Sequence, residues 1–198
     1  MNSEIADISL AGKGLERLEW VRERMPIMRV LKKQLAETKP FENLKIGICL
    51  HVEAKTGIWL ETLIAGGAKI SITGSPGTTQ DEVAAALVKE YGVEVFAKRD
   101  ETFEDHLSYA EKVLEFDPDL IADNGADLHA LINTNSKSSH LKTKLIGATE
   151  ETTTGGFRLR EDFGEQAFPT IVINDSRAKR IIENRYGVGQ SVVDGILR

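Results

Sequence analysis

The chain has 198 residues, a length that predicts one domain with a core large enough to need no disulfide bonds. Its 41% hydrophobic and 28% charged residues are typical of a water-soluble globular protein. The net charge of −6 argues against a nucleic-acid binder, which needs a basic face. The sequence contains no apolar run near the roughly 20 residues of a membrane span and no pattern of a secretory signal. We therefore expect a cytoplasmic protein that binds neither nucleic acid nor membrane.

The predicted elements alternate between helices and strands along the chain. Residues 1–43 predict a helical leader, because residues 15–35 have apolar residues at helical spacing, which Pro26 should bend or break. Short apolar runs then predict six strands, at 45–50, 68–73, 93–97, 119–122, 145–148 and 170–173. Helical patterns cover 55–65, the segment from Thr79 to near Gly92, and 103–116, whereas the polar stretch 133–144 indicates a loop.

This alternation predicts a single α/β domain over residues 1–198. Strands that follow one another through helices pair in parallel, so we expect a Rossmann-like three-layer domain with a mostly parallel sheet of about six strands and helices on both faces. Ligands of such sheets bind outside the carboxyl ends of the strands. The lone cysteine, Cys49, lies inside the first apolar run and is predicted to be a core residue.

Polar residues are concentrated after several predicted strands. The first strand is followed by His51, Glu53 and Lys55, and the later ones by 73–81, 123–127, 149–155 and 174–179. Turns and helix caps explain many serines, threonines and aspartates at such positions. The run Glu150-Glu151-Thr152-Thr153-Thr154-Gly155 is less easily explained, and its many acceptors and donors suit a polyol such as ribose.

Two classes of site are disfavoured. His106, His129 and His140 have no spacing typical of a metal motif, and a surface or structural role is expected for each. Gly187-Val188-Gly189 lacks the third glycine and the preceding strand of a dinucleotide fingerprint. The sequence therefore predicts no metal site and no nicotinamide-binding turn.

Laid side by side, the polar segments resemble the substrate-binding N-terminal half of S-adenosylhomocysteine hydrolases. The resemblance covers residues from about 20 to 198, in family order, and rests on these stretches: Leu50-His51-Val52-Glu53-Ala54-Lys55-Thr56, Thr79-Gln80-Asp81, Asn124-Gly125-Ala126-Asp127-Leu128, Glu150-Glu151-Thr152-Thr153-Thr154-Gly155, Asn174-Asp175-Ser176 with Lys179, and Asn184-Arg185-Tyr186-Gly187-Val188-Gly189-Gln190-Ser191.

The resemblance implies a reaction and a set of roles. Enzymes of this family use bound NAD to oxidise the ribose 3′-hydroxyl, eliminate homocysteine, add water and reduce the ketone again. By resemblance, Glu151 and Lys179 would hold the ribose hydroxyls, and His51 would lie where the thiol leaves. The remaining implied contacts are Glu53, Thr56 and Gln80 to the substrate, and Thr152, Thr153, Thr154 and Asn184 to the cofactor. Family members form tetramers, so a homodimer or larger oligomer is expected.

Two substitutions and the extent of the chain depart from the family pattern. Asn124 stands where the family usually has an aspartate that serves as an acid/base, and an amide cannot transfer a proton that way. Glu183 stands where an aspartate that contacts the ribose is usual, and the sequence ends at Arg198, where the family continues into its NAD domain. We expect the chain alone to bind no NAD and to be inactive.

Three hypotheses remain at this point. The chain is the substrate half of an adenosylhomocysteinase-like hydrolase, or a non-catalytic module that binds a nucleoside or another small ligand, or a scaffold without a ligand. His51, Glu151, Lys179 and Asn184 favour the first hypothesis, whereas Asn124 and Glu183 favour the second. The motifs leave open whether the nucleoside is adenosine or inosine.

Overall fold

The structure, a computed structural model, describes residues 2–198. Its strands are β1 (Lys45–Cys49), β2 (Lys69–Thr73), β3 (Glu94–Phe96), β4 (Leu120–Asp123), β5 (Gly147–Glu150) and β6 (Thr170–Val172). The helices are α1 (Ala11–Arg22), α2 (Pro26–Thr38), α3 (Ala54–Ala65), α4 (Asp81–Tyr91), α5 (Phe103–Glu115), α6 (Asp127–Thr134), α7 (Leu141–Lys144), α8 (Thr153–Glu161) and α9 (Gly189–Leu197). A π-helix, Ala178–Val188, leads directly into α9.

The strands form one parallel sheet in the order β3-β2-β1-β4-β5-β6. This order confirms the predicted Rossmann-like α/β fold. The direction of winding reverses between β1 and β4, which are neighbours in the sheet although far apart in sequence. Ligands of doubly wound sheets bind at this switch point, beyond the carboxyl ends of the strands.

The core is divided between the two faces of the sheet because side chains alternate along each strand. Ile46 and Ile48 of β1 pack with α1, α3 and α4 in one hydrophobic cluster. Cys49, at the end of the same strand, belongs to a second cluster that is built mainly from α5 and α6. The sheet is therefore covered on both faces, as expected for buried parallel strands, and Cys49 is a core residue as predicted.

The N-terminal leader is part of the packed core. Pro26 is the first residue of α2 and separates it from α1, which confirms the predicted break. Helix α1 packs closely on α4: Gly14 lies against the backbone of Glu82, and Leu18 is buried in the first core cluster. Glu4 extends the sheet edge through hydrogen bonds with Val95 and Ala97. Whether residues 1–198 fold as one independent domain stays a prediction.

The other predicted strands agree with the structure to within one residue at each end, but two regions differ more. Strand β5 begins two residues later than predicted and extends to Glu150, whose buried carboxylate accepts hydrogen bonds from backbone N–H groups of the β4–α6 turn and of Thr152. The polar stretch 133–144, predicted as a loop, contains the end of α6 and the short helix α7, which Leu141 anchors in the core.

The C-terminal segment exposes apolar side chains. The π-helix and α9 form a continuous helical run, and neither element has a buried residue. Its exposed large apolar residues are Ile181, Ile182, Tyr186, Val188, Val192, Val193, Ile196 and Leu197. Within residues 2–198, no helix is both long and apolar enough to cross a membrane.

Candidate functional site

One group of predicted site residues follows β1 at the switch point. His51 is exposed, and Glu53 caps α3 by accepting a hydrogen bond from the Thr56 backbone N–H at 3.2 Å. The Gln80 side chain accepts one from the Ala54 N–H, also at 3.2 Å, which joins the start of α3 to the loop before α4. The structure therefore brings Glu53, Thr56 and Gln80 together, next to His51.

A second pair lies at the ends of β4 and β5. Asn124 Nδ2 donates to Glu151 Oε2 at 3.0 Å, and both residues are partly exposed. The strands are in register here, because Asp123 is opposite Glu150. Two predicted catalytic residues far apart in sequence are thus side by side, on the β4 side of the switch point.

Glu150 stabilises the backbone on both sides of the Asn124–Glu151 pair. Its fully buried carboxylate accepts hydrogen bonds from the N–H groups of Gly125, Ala126 and Thr152 at 3.0, 2.9 and 2.7 Å. The Thr152 hydroxyl also donates to it at 2.7 Å. Glu150 therefore ties the β4–α6 turn to the start of α8, and it is a structural residue in a run that the sequence suggested would contact ligand.

The β4–α6 turn needs these restraints because its backbone is unusual. Gly125 and Ala126 have φ values of 102° and 63°, and the left-handed conformation costs free energy at alanine. Arg158 binds the Gly125 carbonyl oxygen and the Asp127 carboxylate, the latter at 2.8 Å. Such an over-determined turn fixes the position of Asn124, the residue immediately before it.

A third group is centred on Asn174, after β6. Its Oδ1 accepts hydrogen bonds from Thr153 Oγ1 at 3.0 Å and from Asn184 Nδ2 at 2.9 Å. The largely buried Lys179 side chain forms an ion pair with Glu183 one helical turn later. Asn174 was not among the predicted site residues, although its position after a strand was the signal that could have identified it.

The three groups are not joined directly. Among residues 2–198 no hydrogen bond or ion pair connects the His51 group, the Asn124–Glu151 pair and the Lys179–Glu183 pair. The sheet topology places His51 and Asn124 at the ends of neighbouring strands, so the first two groups flank the switch point. Of the predicted cofactor contacts, Thr152 caps α8 through the Gly155 N–H at 2.8 Å, and Thr154 is exposed.

Two of the histidines are buried beside carboxylates. His129 Nδ1 lies 2.8 Å from Asp123 Oδ2, and His106 Nε2 lies 3.2 Å from Asp127 Oδ2. The hydrogen bond to Asp127, with a further contribution from Glu101, raises the pKa of His106 to about 9. Both histidine side chains are buried in the fold, whereas His140 is exposed.

The turn after β1 does not fit a dinucleotide. In a dinucleotide-binding turn, glycines let the pyrophosphate approach the N-terminus of the following helix. Here Glu53 occupies that N-terminus with its own carboxylate, and its negative charge would repel a phosphate. The β1–α3 turn therefore lacks the features of a dinucleotide-binding turn.

These features define a doubly wound α/β protein with a polar site at its switch point. The sequence model of the S-adenosyl-L-homocysteine hydrolase family matches residues 2–144, and the chain belongs to this family. It is 47% identical to the S-inosyl-L-homocysteine hydrolase of Methanopyrus kandleri, over 98% of this chain and 46% of that protein. It is 48% identical to the protein of that name from Methanococcus maripaludis, over 99% of this chain and 47% of the relative. The adenosylhomocysteinase of Aquifex aeolicus is 43% identical, over 100% of this chain and 48% of the relative. The chain thus spans about half the length of the curated relatives it matches.

Proposed function

We propose that this chain is the substrate-binding half of an S-adenosylhomocysteine hydrolase-like enzyme. The reaction is the reversible hydrolysis of a purine nucleosidyl homocysteine thioether to the free nucleoside and homocysteine. Support comes from the family to which the chain belongs and from the polar site at the switch point. It also comes from the alignment of almost the whole chain with about half of each relative.

The observation that carries the proposal is the Asn124–Glu151 pair. Glu151 accepts the amide through one carboxylate oxygen, Oε2, and its side chain is partly exposed at the sheet edge. A carboxylate at this edge is the usual partner of ribose hydroxyls in doubly wound folds. We therefore assign Glu151 to the ribose diol, with Asn124 holding the carboxylate in place.

The other predicted residues are assigned around this contact. Lys179, held by Glu183, supplies a cationic donor for a ribose hydroxyl oxygen. His51 faces solvent beyond β1, on the side where the homocysteine thiol would leave. Glu53 and Thr56 at the start of α3, and Gln80 in the loop before α4, would flank the purine. Thr153, Thr154 and Asn184 would lie toward the cofactor.

We propose that the redox cofactor is held outside this chain, because the β1 turn does not fit a dinucleotide. When bound, NAD supplies the reversible oxidation that acidifies the hydrogen next to the oxidised carbon. The residues of this chain bind and orient the nucleoside. Purified chain with added NAD should therefore release no homocysteine from S-adenosylhomocysteine or S-inosylhomocysteine. Measurable release in a thiol assay would contradict the proposal that the cofactor is held outside this chain.

Binding of the nucleoside tests the site itself. Calorimetry with adenosine and with inosine should detect weak binding of at least one of them, because a second half of the enzyme would normally close over the ligand. Both nucleosides are needed because the relatives carry both names, S-inosyl-L-homocysteine hydrolase and adenosylhomocysteinase.

Two variants identify the residues that bind the sugar. Glu151→Gln and Lys179→Ala should each weaken the measured affinity by roughly tenfold or more, as expected for loss of a hydrogen bond to a charged group. The matched controls Glu104→Gln and Lys137→Ala change exposed residues away from the switch point and should leave affinity unchanged. Unchanged affinity in both site variants would refute the assignment.

Asn124 favours a second candidate, a nucleoside-binding module without catalysis. An amide at this position cannot serve as the acid/base that the family's aspartate provides. The two candidates differ when a nicotinamide-binding half is supplied together with this chain. Homocysteine release by the mixture supports the hydrolase, whereas binding without release supports the module.

A further inference from the structure

A thiol, an imidazole and a carboxylate meet beneath the β4–α6 turn. One ligand atom each from Cys49, His106 and Asp127 lies within 4.8 Å of the other two. Around a tetrahedral zinc ion, with bonds of about 2.0–2.3 Å, such atoms are separated by roughly 3.3–3.8 Å. His106 Nε2 and Asp127 Oδ2, at 3.2 Å, are already close to this spacing. Small side-chain movements would complete the geometry.

The opposite side of the His106 ring has the surroundings of a metal ligand. Glu101 Oε1 lies 3.7 Å from His106 Nδ1, and both atoms are buried without a hydrogen-bond partner among residues 2–198. A metal-binding histidine usually donates its second ring N–H to a carboxylate, which fixes the tautomer and orients the ring. Glu101 is placed to accept that N–H, and its other oxygen is held by the Lys98 backbone N–H at 3.0 Å.

The local charge favours a cation at this point. Glu101 Oε1 and Asp127 Oδ2 lie 3.7 and 3.2 Å from the two ring nitrogens of His106. The nearby cation, Arg158, is bound to Asp127 Oδ1, whereas Asp127 Oδ2 faces His106 Nε2. Two carboxylates and one guanidinium therefore surround the imidazole with a net negative charge.

A second cluster, of Asp123, His129 and Glu150, does not have this character. Glu150 already accepts four hydrogen bonds, and Asp123 Oδ2 accepts from the His129 backbone and faces its ring. The carboxylate oxygens of this second cluster already accept hydrogen bonds that stabilise the fold.

We propose that Cys49, His106 and Asp127 form a binding site for a zinc-type divalent cation, with Glu101 as the outer-shell carboxylate of His106. Thiolate, imidazole and carboxylate together are the ligand set that zinc accepts in proteins. The Asp127 side chain is 31% exposed, whereas Cys49 and His106 are buried, so the ion enters from the Asp127 side.

Cobalt(II) and zinc titrations of the full chain test the site after treatment with a chelator. Calorimetry should show one zinc ion bound per chain. The cobalt complex should show a thiolate-to-metal charge-transfer band, which exposed carboxylates cannot produce. X-ray absorption on the zinc form of the unmutated chain should show one sulfur neighbour, and this measurement does not depend on whether any variant folds.

Matched variants assign the ligands. Cys49→Ala should abolish the charge-transfer band, and His106→Gln should weaken zinc binding by more than the roughly 10–100-fold that loss of an outer-shell partner costs. Glu101→Gln should weaken it within that range and keep the band. His140→Gln is the control, because His140 also lies 3.2 Å from an aspartate, Asp117, but is exposed.

Three results would overturn the proposal. They are a stoichiometry near zero, a cobalt spectrum without the thiolate band, and zinc affinity that His140→Gln lowers as much as His106→Gln does. Circular dichroism of each variant separates loss of the site from loss of the fold.

Discussion

Glu150→Gln and Glu151→Gln should affect the stability of the fold to very different extents, although the two glutamates are adjacent. Glu150 is fully buried and accepts four hydrogen bonds through its two carboxylate oxygens. Glu151 is partly exposed and accepts one, from Asn124. Loss of the charge therefore weakens hydrogen bonds to the backbone at Glu150, but only one hydrogen bond to a side chain at Glu151.

The cost at Glu150 follows from its donors. Gln can keep its oxygen toward Gly125 and Thr152, but its amide nitrogen would then face the buried Ala126 N–H. An unsatisfied buried donor costs about 1–3 kcal/mol, and the remaining hydrogen bonds weaken when the acceptor loses its charge. We expect Glu150→Gln to lower the free energy of unfolding by about 2–4 kcal/mol. Glu151→Gln should change it by less than about 1 kcal/mol, since its amide can pair with Asn124 in turn.

Urea denaturation followed by circular dichroism measures both variants. At an m-value of about 2 kcal/mol/M, the middle of the usual range in urea, the Glu150 variant should unfold at a midpoint lower by about 1–2 M. The midpoint of the Glu151 variant should stay close to that of the wild-type chain. Similar midpoints for the two variants would refute the assignment of Glu150 as the residue that holds the turn.

Three further predictions concern packing, capping and association. Gly14→Ala should destabilise the chain by about 3 kcal/mol or more in thermal melts, because a Cβ there overlaps the Glu82 carbonyl oxygen. Gly12→Ala, in the same helix, is the control: its Cβ has no neighbour within 4 Å, and the change should stabilise the chain by about 0.5–1 kcal/mol. Thr102→Ala should cost about 1 kcal/mol by removing the capping box of α5, and equal melting temperatures would contradict this. The exposed apolar face of residues 178–197 should be covered in a homodimer or exchange its amides rapidly. A strict monomer with a protected C-terminal helix, by ultracentrifugation and hydrogen exchange, would argue against that expectation.

The sheet was predictable because its central strands are short segments rich in apolar residues. Ile46 and Ile48 of β1, like Ile70 and Ile72 of β2, alternate along the strand and belong to the core cluster on one face of the sheet. The end of β5 was less predictable, since a buried Glu150 contradicts the hydrophobic pattern. Only the backbone N–H groups that surround it explain why the strand continues to that residue.

The candidate site was predictable where residues follow strands and less so where tertiary contacts decide. Asn124 and Glu151 stand at two strand ends, so the parallel register could bring them together. The cluster of Cys49, His106 and Asp127 has no local spacing, because its members come from strand β1, from helix α5 and from the first residue of helix α6. A pattern along the sequence cannot show that juxtaposition.

A crystal structure of the chain with adenosine or inosine tests the central claim most directly. The account predicts that the nucleoside lies beyond the carboxyl ends of β1 and β4, with its ribose hydroxyls on Glu151 and Lys179 and its purine beside Glu53 and Gln80. A nucleoside bound elsewhere on the chain, or an empty switch point at saturating concentration of both nucleosides, would contradict it.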